Sequence, residues 1–94
     1  MIRSFRSKAL RDYWLKGNDR GIKPEWRERV FDLLSALDAA NSPDDMRLPT
    51  YHFHSLKGDR KGDYAVTIRA NWRVTFAWVD GGAVHVDMED YHGR

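Results

Sequence analysis

The sequence contains no cysteine and no apolar run long enough to cross a membrane. The missing cysteines exclude a disulfide framework and a thiolate metal site. The opening segment MIRSFRSKAL also lacks the apolar core that a signal peptide needs. We therefore expect a cytoplasmic protein without a membrane segment.

Internal repeats, low-complexity tracts and linker-like stretches are absent as well. A chain of 94 residues can bury one modest core but is too short for a buried cofactor domain. Four Trp, four Tyr and four Phe within a 41% hydrophobic content argue against disorder. These features predict a single domain over residues 1–94, without a cofactor.

The stretch from Tyr64 to Met88 alternates apolar and polar residues in three runs broken by two turns. This alternation predicts a β-meander, with turns at Ala70-Asn71 and at Asp80-Gly81-Gly82. One predicted face is apolar and carries Trp72, Val74, Phe76 and Trp78. The other is polar and carries Arg69, Arg73, His85, Asp87 and Glu89. We expect function on the polar face.

Two helices are predicted before the meander. Ser7 is a candidate N-cap for a helix over Lys8–Lys16, which Gly17 would end. Pro24 suits the first turn of a second, amphipathic helix that reaches about Ala40. A helix stripe and an apolar sheet face each need covering, so the pattern predicts an α+β fold with both helices packed on one face of a mainly antiparallel β-sheet.

Shorter segments complete the predicted elements. Ile2–Phe5 is a candidate first strand, and residues 42–45 are a candidate helical turn. Alternation over Tyr51–Leu56 predicts another strand, on which His52 and His54 would share a face. The segment that follows, at 57–62, is a basic loop with two glycines.

Positive charge is concentrated near the amino end of the chain. Residues 1–31 contain nine Lys or Arg against four Asp or Glu, whereas residues 32–94 contain seven against ten. A basic patch suits a phosphate backbone, although charge asymmetry alone is also typical of a solvated helix face.

Two interpretations fit the histidines and the acidic carboxyl-terminal stretch. One is a metal site built from imidazole and carboxylate ligands. The other is metal-free acid-base chemistry, in which His54 and His92 handle protons while Lys57 and Arg73 stabilise negative charge. The His52/His54 pair lacks a second spaced pair of ligands. We therefore expect no metal.

Three motifs follow one another along the chain: HSLKGDRKG over 54–62, RANWRVTF over 69–76 and EDYH over 89–92. Together they resemble the HigB-type toxins of the RelE/ParE superfamily, and the resemblance covers nearly the whole chain. It implies the RelE-like microbial RNase fold. The departures from the family pattern are Ser55 in place of Pro, Asp63 in place of an aromatic residue, and the additional Gly93-Arg94.

The resemblance implies a toxin that enters the ribosomal 30S A site, contacts 16S rRNA and cleaves translated mRNA by attack of a ribose 2′-hydroxyl. It also implies a helix-turn-helix antitoxin of the HigA type as partner. The family's catalytic positions match His54, Lys57, Arg73, Asp90, Tyr91 and His92. We expect Arg60, Lys61 and Arg69 to bind RNA.

Each implied catalytic residue has an expected role. His54 would be the general base, and Lys57 with Arg73 would hold the phosphorane. His92 or Asp90 would donate the leaving-group proton, and Tyr91 would stack on a base or donate to phosphate. Two rival functions use the same chain: a ParE-like interaction protein that inhibits a protein target, and a simple RNA-binding module.

Overall fold

The computed structural model describes residues 1–91. Two helices, α1 (Lys8–Lys16) and α2 (Arg27–Ala39), precede a four-stranded antiparallel sheet with strand order β1-β2-β3-β4. The strands are β1 (His54–Ser55), β2 (Asp63–Arg69), β3 (Trp72–Val79) and β4 (Gly82–Asp90). Short 3-10 turns lie at Pro24–Trp26, Pro43–Met46 and Gly58–Arg60. The predicted α+β fold is confirmed.

Both predicted helices form, and their ends lie at or near the predicted capping residues. The Ser7 hydroxyl accepts a hydrogen bond from the Leu10 N–H at 3.1 Å, which satisfies a free donor at the start of α1. Gly17 ends that helix at φ 69°, in the left-handed region. Pro24 begins the 3-10 turn that leads into α2. Within residues 1–91, no helix is long and apolar enough to span a membrane.

The core lies between α2 and the predicted apolar face of the sheet. Trp26 stands over Trp72, with 5.3 Å between ring centroids. The fully buried members from the helix and the sheet are Val30, Leu33, Leu34, Leu37, Val66, Val74, Phe76, Ala83 and Val86. Leu15 of α1 lies outside this core and is 66% exposed.

The amino-terminal segment extends the sheet beside β4. Ile2 and Phe5 form parallel bridges with Ala83 and Val86. The Arg3 N–H donates to the Ala83 carbonyl at 2.7 Å. The predicted first strand is therefore present as two isolated bridges.

Positive φ angles interrupt two of the predicted strands, the one over Tyr51–Leu56 and the last strand of the meander. The predicted strand over Tyr51–Leu56 forms only at His54–Ser55, because His52 adopts φ 48° and interrupts the extended backbone. His85 adopts φ 55° at a register shift between β3 and β4. It therefore occupies a β-bulge, where its N–H donates to the Ser4 hydroxyl at 2.9 Å.

Candidate active site

The strand register places His54 and Arg73 on the same face of the sheet. His54 is paired with Ala65, and Ala65 is paired with Thr75. Arg73 lies two residues before Thr75 on β3. Because cross-strand partners and residues two apart share a face, both side chains project from the side opposite the helices. Their backbones are separated by two strand spacings across the sheet and by two residues along it, or about 12 Å in all.

The loop between β1 and β2 carries Lys57 at the edge of this polar face. The Leu56 N–H donates to the Asp63 carbonyl at 2.9 Å, and the Leu56 side chain is buried. The Arg60 N–H donates to the Lys57 carbonyl at 3.2 Å, which closes a 3-10 turn. The loop backbone is thus anchored at its base, while the Lys57 side chain is exposed.

Arg73 is half-buried and is held against the turn between β2 and β3. Its Nη1 donates to the carbonyl oxygens of Ala70 and Trp72. These are neutral acceptors, so these two contacts do not neutralise the guanidinium charge. The polar face therefore carries the positively charged Arg73 in a fixed position on β3, between β2 and β4.

The end of β4 returns to the same turn. Glu89 is paired with Arg73 and Asp90 with Trp72. The Tyr91 N–H donates to the Asn71 carbonyl at 2.8 Å. By alternation Asp90 belongs to the row of Trp72, on the helix side of the sheet, although it is exposed at the strand end. His92 lies outside the described residues.

Arg60 occupies the middle of the polar face. Its Nε donates to Asp63 Oδ2 at 2.9 Å, and its Nη1 and Nη2 donate to the two Glu89 carboxylate oxygens at 3.1 and 2.8 Å. The Thr75 hydroxyl donates to Glu89 as well. The guanidinium carbon of Arg60 lies 6.0 Å from the centroid of the Tyr91 ring.

These contacts shift the ionisation of both partners. Hydrogen bonds from Arg60 lower the pKa of the Glu89 carboxyl from its ordinary value of 4.5, and they outweigh the opposite effect of partial burial. Hydrogen bonds to Glu89 and then to Asp63 raise the pKa of the Arg60 guanidinium above its ordinary value. Both groups are therefore charged throughout the neutral range.

The strand register thus places His54 and Arg73 on one face of the sheet, with Lys57 in the loop at its edge and Tyr91 near Arg60. Asp90 falls instead in the row of Trp72, on the opposite face. Among the residues expected to bind RNA, Lys61 and Arg69 are exposed. The expectation that Arg69 lies on the polar face is wrong, because the register shift between Thr67 and Arg69 pairs Arg69 with Trp72, whose row lies on the helix side. Arg60 instead contacts carboxylates. Within residues 1–91, no group of three or more His, Asp or Glu side chains is arranged to hold a metal ion.

Sequence reasoning missed the contact between Arg60 and Glu89. The spacing of Arg60 and Asp63 was the only local signal, because residues three apart face each other across a helical turn. The longer contact joins residues 29 positions apart, so it depends on how the loop folds over the sheet.

Comparisons with known proteins agree on one family. A family model described as the RelE-like toxin HigB of type II toxin-antitoxin systems matches residues 3–92. Endoribonuclease HigB of Proteus vulgaris is 40% identical over 92 residues, which cover 98% of this chain and all of that protein. Toxin HigB-1 of Vibrio cholerae serotype O1 is 29% identical over 93 residues, covering 97% of this chain and 98% of that toxin.

Proposed function

This chain belongs to the RelE-like HigB toxins of type II toxin-antitoxin systems, and from that premise we propose that it cleaves translated mRNA in the A site of the 30S ribosomal subunit. It is an endoribonuclease toxin that inhibits translation and growth. The observation that carries the proposal is the single sheet face shared by His54 and Arg73, with Lys57 at its edge and Tyr91 beside Arg60.

The first step is activation of a ribose 2′-hydroxyl by His54. An imidazole accepts a proton at neutral pH, and the exposed position of His54 lets RNA approach it. As the proton moves to the imidazole, the 2′-oxygen attacks the adjacent phosphorus. A new O2′–P bond forms as this proton leaves the sugar.

The second requirement is a counter-charge for the phosphorane. Arg73 is suited to this role because its planar guanidinium matches a set of phosphate oxygens. Its two backbone contacts hold it near the turn without neutralising it. Lys57 adds a second cation from the loop, and Tyr91 stacks on a base or donates to phosphate.

The third step is departure of the 5′-oxygen. The P–O5′ bond breaks, and the leaving oxygen takes a proton from His92 or Asp90. The products are a 2′,3′-cyclic phosphate and a 5′-hydroxyl. Side chains supply the base, the cations and the acid, so the proposed reaction uses no metal ion or cofactor.

A toxin of this family has an antitoxin partner. We assign that role to a helix-turn-helix antitoxin of the HigA type. The exposed cations Lys61 and Arg69 suit contacts with mRNA or with 16S rRNA phosphates. Because ribosomes are its proposed site of action, we place the protein in the cytoplasm.

The test is cleavage of a defined mRNA by purified protein in the presence and absence of translating ribosomes. We expect new 5′ ends only with ribosomes, and these ends should ligate only after phosphorylation, as a 5′-hydroxyl requires. His54→Ala is the matched inactive control. Equal cleavage of free RNA would contradict ribosome dependence, and growth inhibition without any cleavage would favour a ParE-like protein target.

A further inference from the structure

The Arg60 side chain connects three parts of the polar face. It extends from the 3-10 turn Gly58–Arg60 and reaches Asp63 on β2 and Glu89 on β4. Strand β3 lies between those two strands, so the guanidinium spans it near Thr75. One side chain therefore joins the basic loop to the strand that ends just before Tyr91.

Hydrogen-bond geometry distinguishes this arrangement from an ordinary surface ion pair. The contact with Glu89 is bidentate, because each of the two guanidinium Nη atoms donates to one of the two carboxylate oxygens. Thr75, which is 2% exposed, donates a further hydrogen bond to the same carboxylate. About one third of the Arg60 side chain is accessible, and less of Asp63 and Glu89. These fixed contacts restrict the rotamers of both Arg60 and Glu89.

Arg60 also lies next to two members of the predicted catalytic set, Lys57 and Tyr91. Its backbone N–H donates to the Lys57 carbonyl, and its guanidinium carbon lies over the Tyr91 ring at 6.0 Å from the centroid. A shift of Arg60 would change the separation between Lys57 and Tyr91. Even a displacement of about 1 Å at a catalytic group can reduce a rate about 100-fold.

We propose that Arg60, held by Asp63 and Glu89, is a positioning residue that fixes the Lys57 loop relative to the end of β4. This assignment rests on the proposed nuclease function. It replaces the expectation that Arg60 binds RNA, because a phosphate would have to displace two carboxylates from the guanidinium. Asp63, a departure from the family pattern, is then one of the two carboxylates that hold Arg60 in place.

Glu89→Gln separates positioning from RNA binding. If Arg60 bound phosphate directly, removing the Glu89 charge would leave binding unchanged or tighter. If Arg60 positions the loop, the same change weakens the bidentate contact and slows cleavage. The variant keeps the size of the side chain and leaves Arg60 itself unchanged.

The experiment compares Arg60→Ala, Arg60→Lys and Glu89→Gln with wild type in single-turnover mRNA cleavage on ribosomes. We expect the maximal rate to fall about 10- to 100-fold for Arg60→Ala and for Glu89→Gln, with Arg60→Lys intermediate. The ribosome concentration at half-maximal rate should change less than about twofold. The double variant should be no slower than Arg60→Ala, because both changes break one contact.

Exposed Asp44, which pairs with Arg47, supplies the matched control Asp44→Asn. This change leaves the Arg47 guanidinium over the Phe53 ring, next to His54, in place. A direct phosphate role would instead raise the half-maximal concentration for Arg60→Ala and reduce its salt slope by about 1. That result, or a wild-type rate in folded Glu89→Gln, overturns the proposal. If Arg60→Ala fails to fold, Glu89→Gln and Arg60→Lys decide it. An inactive wild-type protein would instead refute the nuclease function itself.

Discussion

Arg73 and Glu89 are direct cross-strand partners, yet the Glu89 carboxylate binds Arg60 and Thr75, while Arg73 donates to the carbonyls of Ala70 and Trp72. Glu89, the acidic residue beside Arg73, is thus paired with a different cation, Arg60. This arrangement leaves the Arg73 guanidinium next to the turn with neutral acceptors. It gives the two arginines of the polar face separate tasks.

Arg73→Ala should leave the fold intact and lower single-turnover cleavage by about 100-fold or more, since a charge-stabilising group is removed. Thermal unfolding should stay cooperative, because Arg73 lies on the face opposite the core. Arg73→Lys is the matched control and should retain part of the rate. A folded Arg73→Ala protein that cleaves at the wild-type rate would make Arg73 a structural residue.

The contact between Arg60 and Glu89 predicts an acid-dependent loss of stability. The folded-state pKa of Glu89 is lowered from 4.5, so the unfolded chain binds a proton more readily than the folded chain does. The contribution of ionised Glu89 to the free energy of unfolding is therefore fully present above about pH 4.5. It is lost as the pH falls through the lowered pKa.

Urea unfolding from about pH 2.5 to about pH 6 measures this effect. Glu89→Gln should show a shallower decrease in unfolding free energy at acidic pH than wild type. Glu28→Gln, an exposed change on α2, is the control and should follow the wild-type curve. Parallel curves for wild type and Glu89→Gln would show that the carboxylate adds no acid-sensitive stability.

Local patterns predicted most of the fold because the signals that formed it are local. Ser7 and Gly17 mark the ends of α1, and alternation placed Val74 and Phe76 in the core. The strand over Tyr51–Leu56 was overpredicted, because alternation does not reveal the positive φ of His52. Such an angle depends on the tertiary path of the chain.

The candidate site was less accessible from sequence. The shared face of His54 and Arg73 depends on the register of three strands, and the period-two pattern alone does not fix that register. The Arg60–Glu89 contact depends on loop closure over the sheet. Charge counts grouped Arg60 with the basic loop and gave no sign that carboxylates bind it.

Close packing of Gly21 against α1 gives a stability prediction. A Cβ atom on Gly21 would lie 2.6 Å from the Ala9 Cβ and 3.3 Å from its Cα. Both are fixed by the helix, so Gly21→Ala should destabilise the protein by about 1–3 kcal/mol. Adding Ala9→Gly should recover part of that loss, although glycine in a helix costs about 1 kcal/mol.

Denaturant titrations of both single variants and the double variant check this prediction through the coupling free energy. Gly81→Ala is a useful contrast, because no atom lies within 4 Å of its added Cβ and only the left-handed φ of 80° is strained. A fully additive double variant would show that Ala9 and Gly21 do not clash.

The end of the chain gives the last prediction. Deleting Gly93-Arg94 should be silent, because these residues extend beyond the family motif and chain ends tolerate truncation. Deleting residues 90–94 should abolish cleavage and relieve growth inhibition, since it removes Asp90, Tyr91 and His92 together. The truncated protein should still unfold cooperatively, because Glu89 and its contacts with Arg60 and Thr75 remain. It should still bind ribosomes, because the exposed cations Lys61 and Arg69 are retained.

His54→Ala and His92→Ala then apportion the proton transfers, each with an expected loss of about 10²- to 10⁴-fold for a general acid or base. Asp90→Asn identifies the acid by comparison with His92→Ala: the residue that donates the proton should show the larger loss. Thermal unfolding confirms that each variant is folded. A folded chain that lacks residues 90–94 and still cuts mRNA would remove the carboxyl end from the active site.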